Sequence, residues 1–317
     1  MSTINTVLGP LDTAELGFTL PHEHVVVTSA GIPQVFPEFV DREASIDRAI
    51  ADLKQAYADG VRTIVDLTTF DLGRDVRLLE QVSRDSGVQI ICATGTWRDI
   101  PRVFWSATPE VIAPLYVREI EEGIEGTGIR AAIIKVANDT GGVTPESEVV
   151  LRAAARAQKA TGVPISTHTF AQERVGLEQV RIFEDEGVNL GRVYIGHSND
   201  STDEDYLLAL LDKGVWLGLD RYPGGRHPGT PIWEERTEIL NKLIDRGYAD
   251  RIMLSHDWGV TMGTFSTEME KARLDYNPDG YSFIPRRVLS RLRELGVTED
   301  TINRMVVENP QRFLEGG

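Results

Sequence analysis

The stretch Gly17-Phe18-Thr19-Leu20-Pro21-His22-Glu23-His24-Val25-Val26-Val27 decides how the rest of the chain is read. Its branched and aromatic residues predict a strand over residues 18–27, whose two-residue period turns His22 and His24 to one face and Glu23 to the other. Taken singly, such histidines are more often satisfied core or surface residues than ligands. The pattern recurs, however: His168 in Ser166-Thr167-His168-Thr169, His197 in Ile195-Gly196-His197-Ser198 and Asp257 in Ser255-His256-Asp257-Trp258 also fall at or near the C-terminal ends of predicted strands. Neutral imidazoles and a carboxylate are ligands that a borderline divalent cation such as zinc accepts. Residues this far apart in sequence meet only if their strands close into a barrel.

Working outward, strand-like runs over residues 18–27, 62–69, 89–96, 130–136, 164–169, 192–197, 215–220 and 251–256 alternate with segments of helical periodicity such as 42–58, 109–123, 147–161, 172–187 and 203–213. This βαβα succession predicts a parallel sheet, and eight such units predict a TIM (β/α)8 barrel of the α/β class. Gly60, Gly87, Gly162, Gly187, Gly214 and Gly247 each fall shortly before the next predicted strand, where tight αβ loops belong. Sites on such barrels form at the C-terminal strand ends, which is where the ligand residues lie. No linker or low-complexity tract interrupts the pattern, so residues 1–317 are expected to form one domain. The connections over 222–233 and 259–284 are long, and Met262, Phe265, Tyr276, Tyr281 and Phe283 in the second suggest an apolar cover over the site.

The 33 basic against 49 acidic side chains give a net charge of −16, which repels nucleic acid and anionic membrane surfaces. The first twenty residues carry no basic n-region followed by an apolar run, so neither a secretory signal nor a membrane span is expected. Cys92 is the single cysteine, which excludes an intrachain disulfide and fits a reducing cytoplasm.

Lys135 ends the run Ala131-Ala132-Ile133-Ile134-Lys135, where a buried ammonium is costly without a partner. Two readings stand side by side: a lysine reaching past the strand end to solvent, or a neutral amine that takes up carbon dioxide and bridges two cations as a carbamate. His256 is expected to point out of the barrel if Asp257 points in, as a packing residue. His227, in a loop, reads as solvated.

The segments Gly17–His24, Thr127-Gly128-Ile129-Arg130-Ala131-Ala132-Ile133-Ile134-Lys135-Val136-Ala137, Ala160–Thr169, Val193–Asp200 and Leu254–Trp258, in this order, resemble the phosphotriesterase family of the amidohydrolase superfamily from about Thr6 to Phe313. The resemblance implies two divalent metal ions, zinc first, with cobalt, iron or manganese as alternatives. His22, His24 and Asp257 would hold the more buried ion and His168 and His197 the more exposed one, with carboxylated Lys135 and a hydroxide bridging them. It further implies a catalytic role for Asp257 as ligand and proton acceptor, and a relay position for Asp200, which alternatively reads as a helix N-cap. A homodimer is expected from the same resemblance, with Phe104, Trp105 and Tyr116 as candidate interface aromatics.

Two positions bear on the substrate. Arg221, in Gly218-Leu219-Asp220-Arg221-Tyr222, matches the arginine of the phosphotriesterase-like lactonases, whereas Trp97 stands where many of those lactonases have tyrosine and the phosphotriesterases have tryptophan. Residues 98–105 resemble neither subgroup. The expected activity is hydrolysis of N-acyl-homoserine lactones and related γ- or δ-lactones, with slower turnover of organophosphate triesters. A true phosphotriesterase or another esterase of the superfamily is the alternative, and a metal-binding barrel without catalysis is a third class.

Overall fold

In the computed structural model of the chain, residues 2–225, 229–262 and 267–315 are described. Eight parallel strands form one sheet whose neighbours follow chain order: β1 Phe18–Glu23, β2 Val61–Asp66, β3 Gln89–Thr96, β4 Ile133–Ala137, β5 Ile165–His168, β6 Val193–Ile195, β7 Trp216–Leu219 and β8 Ile252–Leu254. Between them run α1 Arg42–Ala58, α2 Val76–Ser86, α3 Pro109–Glu121, α4 Pro145–Thr161, α5 Val175–Asp185, α6 Glu204–Asp212 and α7 Trp233–Asp245. This is the expected TIM barrel. An N-terminal hairpin, Thr3–Thr6 with Gly9–Asp12, precedes it.

Strand alternation divides the apolar residues into two cores. Ile134, Val136, Ile195, Leu217 and Leu219 pack outward against helix residues such as Leu53, Leu79 and Leu151. Val65, Ile91, Ile133, Tyr194, Trp216 and Met253 fill the barrel interior, and Ile4, Leu16 and Phe313 close its lower end. The barrel is therefore solid below the site, as small barrels are.

The sheet closes between β1 and β8 without a regular ladder. The Asp257 N–H donates to His22 O at 3.1 Å and the His24 N–H to Trp258 O at 2.7 Å. Glu23, fully buried, locks this seam: its Oε1 accepts from Ser255 Oγ at 2.7 Å, from the His256 N–H at 2.9 Å and from His256 Nδ1 at 2.7 Å, and its Oε2 accepts from the Trp258 N–H at 2.9 Å. Glu23→Gln should leave Oε1 served but set an amide NH2 against the Trp258 N–H, so we expect a loss of about 1–3 kcal/mol from one stranded buried donor. A lower urea midpoint at unchanged slope checks it.

The strands before His197 and Asp257 stop short of their predicted ends because the chain leaves the ladder there, whereas β3 matches its predicted span. His197 and Asp257 adopt left-handed φ values of 60° and 54°, which end β6 and displace the residue after β8 from regular pairing. The predicted strand over 18–27 stops at Glu23, and Val26–Val27 pairs instead with Thr261–Met262. The helix predicted from residue 172 begins at Val175, after a short turn over Ala171–Glu173.

Several side-chain expectations change. Asp200 is not a helix N-cap: Asp203 caps α6 by accepting from the Tyr206 N–H. The segment after β8 is not an open loop but contains a helix, α8 Thr267–Tyr276. Tyr281 and Phe283 are core residues rather than a lid, Tyr281 donating its hydroxyl proton to His24 O. Tyr116 is buried with its hydroxyl 2.7 Å from Thr96 Oγ1, so it is no interface residue, whereas Trp105 is exposed. Phe265 and His227 lie outside the described residues. Among the described residues no helix is long and apolar enough to cross a membrane.

Candidate metal centre

Lys135, His168 and Asp220 point into the barrel by plain strand alternation, since Val136, Thr167 and Leu219 beside them face the helices or the sheet's outer side. His22 and His197 do not. Counting from outward-facing Leu20 puts His22 outward as well, but a register shift between Leu20 and Glu23 turns it in. From outward-facing Ile195, His197 would also face out, and its left-handed backbone swings the ring inward. Such strain costs roughly 1–2 kcal/mol per residue and persists where surrounding contacts enforce it.

The result is a buried ring of donors. His22 Nε2 lies 2.7 Å from Lys135 Nζ, and Asp257 Oδ1 lies 3.6 Å from His22 Nε2 and 3.3 Å from His24 Nε2. His168 Nδ1 stands 2.8 Å from His197 Nε2, and Asp257 Oδ2 is 3.9 Å from the same His197 nitrogen. The far nitrogens face oxygens: His22 Nδ1 is 2.6 Å from Asp220 Oδ2, His197 Nδ1 2.9 Å from Asp220 Oδ1, His24 Nδ1 2.8 Å from Thr68 Oγ1 and His168 Nε2 3.4 Å from Asp139 Oδ2.

The partners of the rings fix where their protons lie. A carboxylate only accepts, so Asp220 draws the His197 proton to Nδ1; His22 Nδ1, 2.6 Å from Asp220 Oδ2 but off the line of a regular hydrogen bond, is drawn the same way, which leaves lone pairs on both Nε2 atoms. Asp139 likewise takes the Nε2 proton of His168, so His168 Nδ1 and His197 Nε2 face each other with no proton between them. Lone pairs turned inward and protons turned outward to oxygens are what metal-ligating histidines show. The donor set fits divalent cations: His22, His24 and Asp257 converge on one position, and His168 Nδ1 and His197 Nε2 face each other beside it at 2.8 Å.

Charge states agree with this reading. Burial pushes His168 down to about 4, against the opposing pull of Asp139, and lowers His22 and His197 too, so the rings are neutral. Burial raises Asp257, but the charge and hydrogen bonding around it, the Arg221 guanidinium included, outweigh it and hold the carboxyl well below the usual range. Burial brings Lys135 down to about 7, within reach of a neutral amine.

Arg221 joins two carboxylates, its Nε donating to Asp257 Oδ2 at 3.1 Å and its Nη1 to Asp200 Oδ2 at 2.7 Å. Arg236 holds the other Asp200 oxygen at 2.7 Å. Trp97 meets His168 edge to face at 5.8 Å, and its backbone N–H donates to both Asp71 oxygens. A cavity of about 110 Å³ opens beside Asp257, lined by Asp200, Arg221, Tyr222, Trp258 and Tyr276.

A profile of the phosphotriesterase family matches residues 2–314. The chain belongs to the phosphotriesterase family. It is 42% identical to a phosphotriesterase homology protein of Mycobacterium tuberculosis, over 99% of this chain and 98% of that protein. An aryldialkylphosphatase of Saccharolobus solfataricus is 37% identical, with 96% of each chain covered. The solved structure of the phosphotriesterase from Mycobacterium tuberculosis superposes with a TM-score of 0.92 at 41% identity, covering 99% of this chain and 98% of that one. The chain is thus a phosphotriesterase-family hydrolase.

Beyond the residues read from the family motifs, the structure adds Asp220, Asp139, Thr68 and Glu23 around them. Asp220 and Glu23 were visible in the sequence as acidic residues in apolar strands, a placement that is unfavourable unless partnered. Asp139 and Thr68 gave no such signal. Gly196 matters as well: a Cβ there would sit 2.2 Å from Thr167 O and about 3 Å from Asp220 Oδ2 and the His22 ring. Gly196→Ala should therefore destabilise the protein by roughly 1–3 kcal/mol, as overpacking of rigid neighbours does. It should also lower metal content, and thermal melts with metal analysis of the same samples check both.

Proposed function

We propose that this phosphotriesterase-family hydrolase opens lactones, N-acyl-homoserine lactones and related γ- and δ-lactones, and hydrolyses organophosphate triesters more slowly. The observation that carries the reading is Arg221 between Asp257 and Asp200. Two divalent cations held by His22, His24, Asp257, His168 and His197, with carboxylated Lys135 between them, would acidify water and polarise the substrate. A neutral Lys135 amine gains a carboxylate from carbon dioxide by releasing one proton, and its Nζ, 2.7 Å from His22 Nε2, supports that role.

Asp257 takes the proton of the attacking water. Arg221 cannot pass it on, because a guanidinium stays protonated, so the proton does not travel to Asp200. Asp257 instead returns it to the ring oxygen as the carbon–oxygen bond breaks and a hydroxy acid leaves. A poor alkoxide leaving group needs that proton, while an aryloxide released from a triester does not. Arg221 orients Asp257, and the doubly paired Asp200 orients Arg221. The cavity of about 110 Å³ is small beside the ~300–1,000 Å³ of pockets that enclose larger ligands, so it suits a ring or short substituent while an acyl tail lies outside it.

A second reading, a true phosphotriesterase, is favoured by Trp97 against His168 and by the name of the Saccharolobus relative. A panel of acyl lactones, aryl esters and paraoxon, run with zinc, cobalt, iron or manganese and with chelator, separates them by kcat/KM. Faster paraoxon turnover than any lactone would overturn the ordering. The proposal includes a cytoplasmic homodimer: Cys92 is buried, with its thiol pushed up to about 12 by burial, and Val35, Phe36, Phe39 and Trp105 are exposed on loops after β1 and β3. Light scattering tests the dimer.

A further inference from the structure

We propose that Asp220 is the positioning residue that ties the two metal positions together, by fixing the proton of one histidine from each. The inference rests on the metal reading above and goes beyond the ligand set itself. Asp220 is fully buried at the end of β7, directly behind the rings. Its Oδ1 accepts from the His197 N–H at 2.7 Å and lies 2.9 Å from His197 Nδ1, while its Oδ2 lies 2.6 Å from His22 Nδ1. One carboxylate therefore serves a ligand of the inner position, His22, and a ligand of the outer one, His197. The rings are 4.8 Å apart, each with its Nε2 turned away from Asp220.

The division of labour between the two oxygens is unequal, and that gives the idea a sharp signature. Oδ1 faces two N–H groups and must be an acceptor. Oδ2 faces a single ring nitrogen, and the Tyr194 hydroxyl, also close to this carboxylate, can turn to donate or accept as its neighbour requires. In Asp220→Asn the amide oxygen should therefore stay with His197, which offers two donors, and the amide NH2 should turn to His22 Nδ1. His22 can satisfy that NH2 only by accepting at Nδ1, which moves its proton to Nε2 and removes the lone pair aimed at the inner position. His197 keeps its Nδ1 proton. Asp220→Ala removes both partners and should release both rings.

The test combines tautomers with metal affinity. In the metal-free wild-type protein, long-range proton–nitrogen NMR should show His22 and His197 both protonated on Nδ1. Asp220→Asn should shift His22 alone to the Nε2–H form. Zinc titration against a chromophoric chelator should then show a roughly 10–100-fold weaker inner site and an unchanged outer one, the size usual for loss of an outer partner. Asp220→Ala should weaken both sites. An Nε2–H form of either ring in the wild type, or an Asp220→Asn protein that loses both metals equally or neither, overturns the proposal. If a variant fails to fold, judged by circular dichroism, the wild-type tautomers still decide. If the wild type binds no zinc, the metal reading falls, and the tautomers alone then decide the role of Asp220.

Discussion

Asp257→Asn is expected to lower kcat/KM on every lactone by roughly 10²–10⁴-fold, the usual effect of losing a positioned acid–base group, while leaving the fold nearly unchanged. The two halves of that expectation have separate causes. Asp257 Oδ1 stands 3.3 Å from His24 Nε2 and 3.6 Å from His22 Nε2, and Oδ2 accepts from Arg221 Nε at 3.1 Å. An amide keeps the shape but has no charge, and with its oxygen kept on the Arg221 Nε–H its NH2 faces the His22 and His24 Nε2 atoms, where it cannot serve a cation as a carboxylate oxygen does. Proton acceptance from water and return to the ring oxygen both disappear. The backbone, by contrast, tolerates the change: Asp257 has φ 54°, and asparagine adopts the left-handed region more readily than most residues. Lactone kinetics and a thermal melt on the same preparation check the pair of outcomes. Full activity in the variant would sink the mechanism.

Lys135→Met is expected to abolish lactone turnover, by at least about 10²-fold, and at the same time to raise the melting temperature of the metal-free protein. Lys135 is buried on β4 with Nζ 2.7 Å from His22 Nε2, and burial already pushes it down to about 7. Methionine has similar volume and no charge to desolvate, and replacing buried charged groups by apolar ones of like size is often neutral or stabilising by about 1–4 kcal/mol. The same change removes the amine that carbon dioxide would convert to a bridging carboxylate. Calorimetry in chelator reads the stability gain, and metal content with lactone kinetics reads the loss. A variant that still binds two metals per chain and turns over lactone at the wild-type rate would show that Lys135 is not a ligand.

These opposite effects follow from where the lysine lies, and the strand itself was legible. Ile133-Ile134-Lys135-Val136 shows a strand ending in a cation, and Ser166-Thr167-His168 a strand ending in a ligand residue. Eight strand-and-helix units, the ligand types and their place at strand ends were likewise open to reading, because hydrophobic period and residue chemistry are local properties. The cover over the site was read less well. Tyr281 and Phe283 proved to be core, since aromatic content does not say which way a loop folds back. Asp200 read equally as a cap or a relay partner; it caps no helix, and it pairs with Arg221 and Arg236, which come from two different elements.

The sequence by itself determined that a barrel forms and which side chains are able to bind metal. It left Lys135 between solvent and the barrel interior, and the closed barrel decided for the interior, where strand alternation also turns His168. Only the tertiary structure decided that His22 and His197 join them. Alternation from Leu20 and Ile195 directs both outward, and each is turned in by a feature that neighbouring elements impose: a register shift against β2 for His22, and for His197 a left-handed turn held by Asp220, whose Oδ1 accepts the His197 N–H at 2.7 Å. The physical reason is that local preference disfavours both conformations, and contacts between strands remote in sequence supply the free energy that holds them.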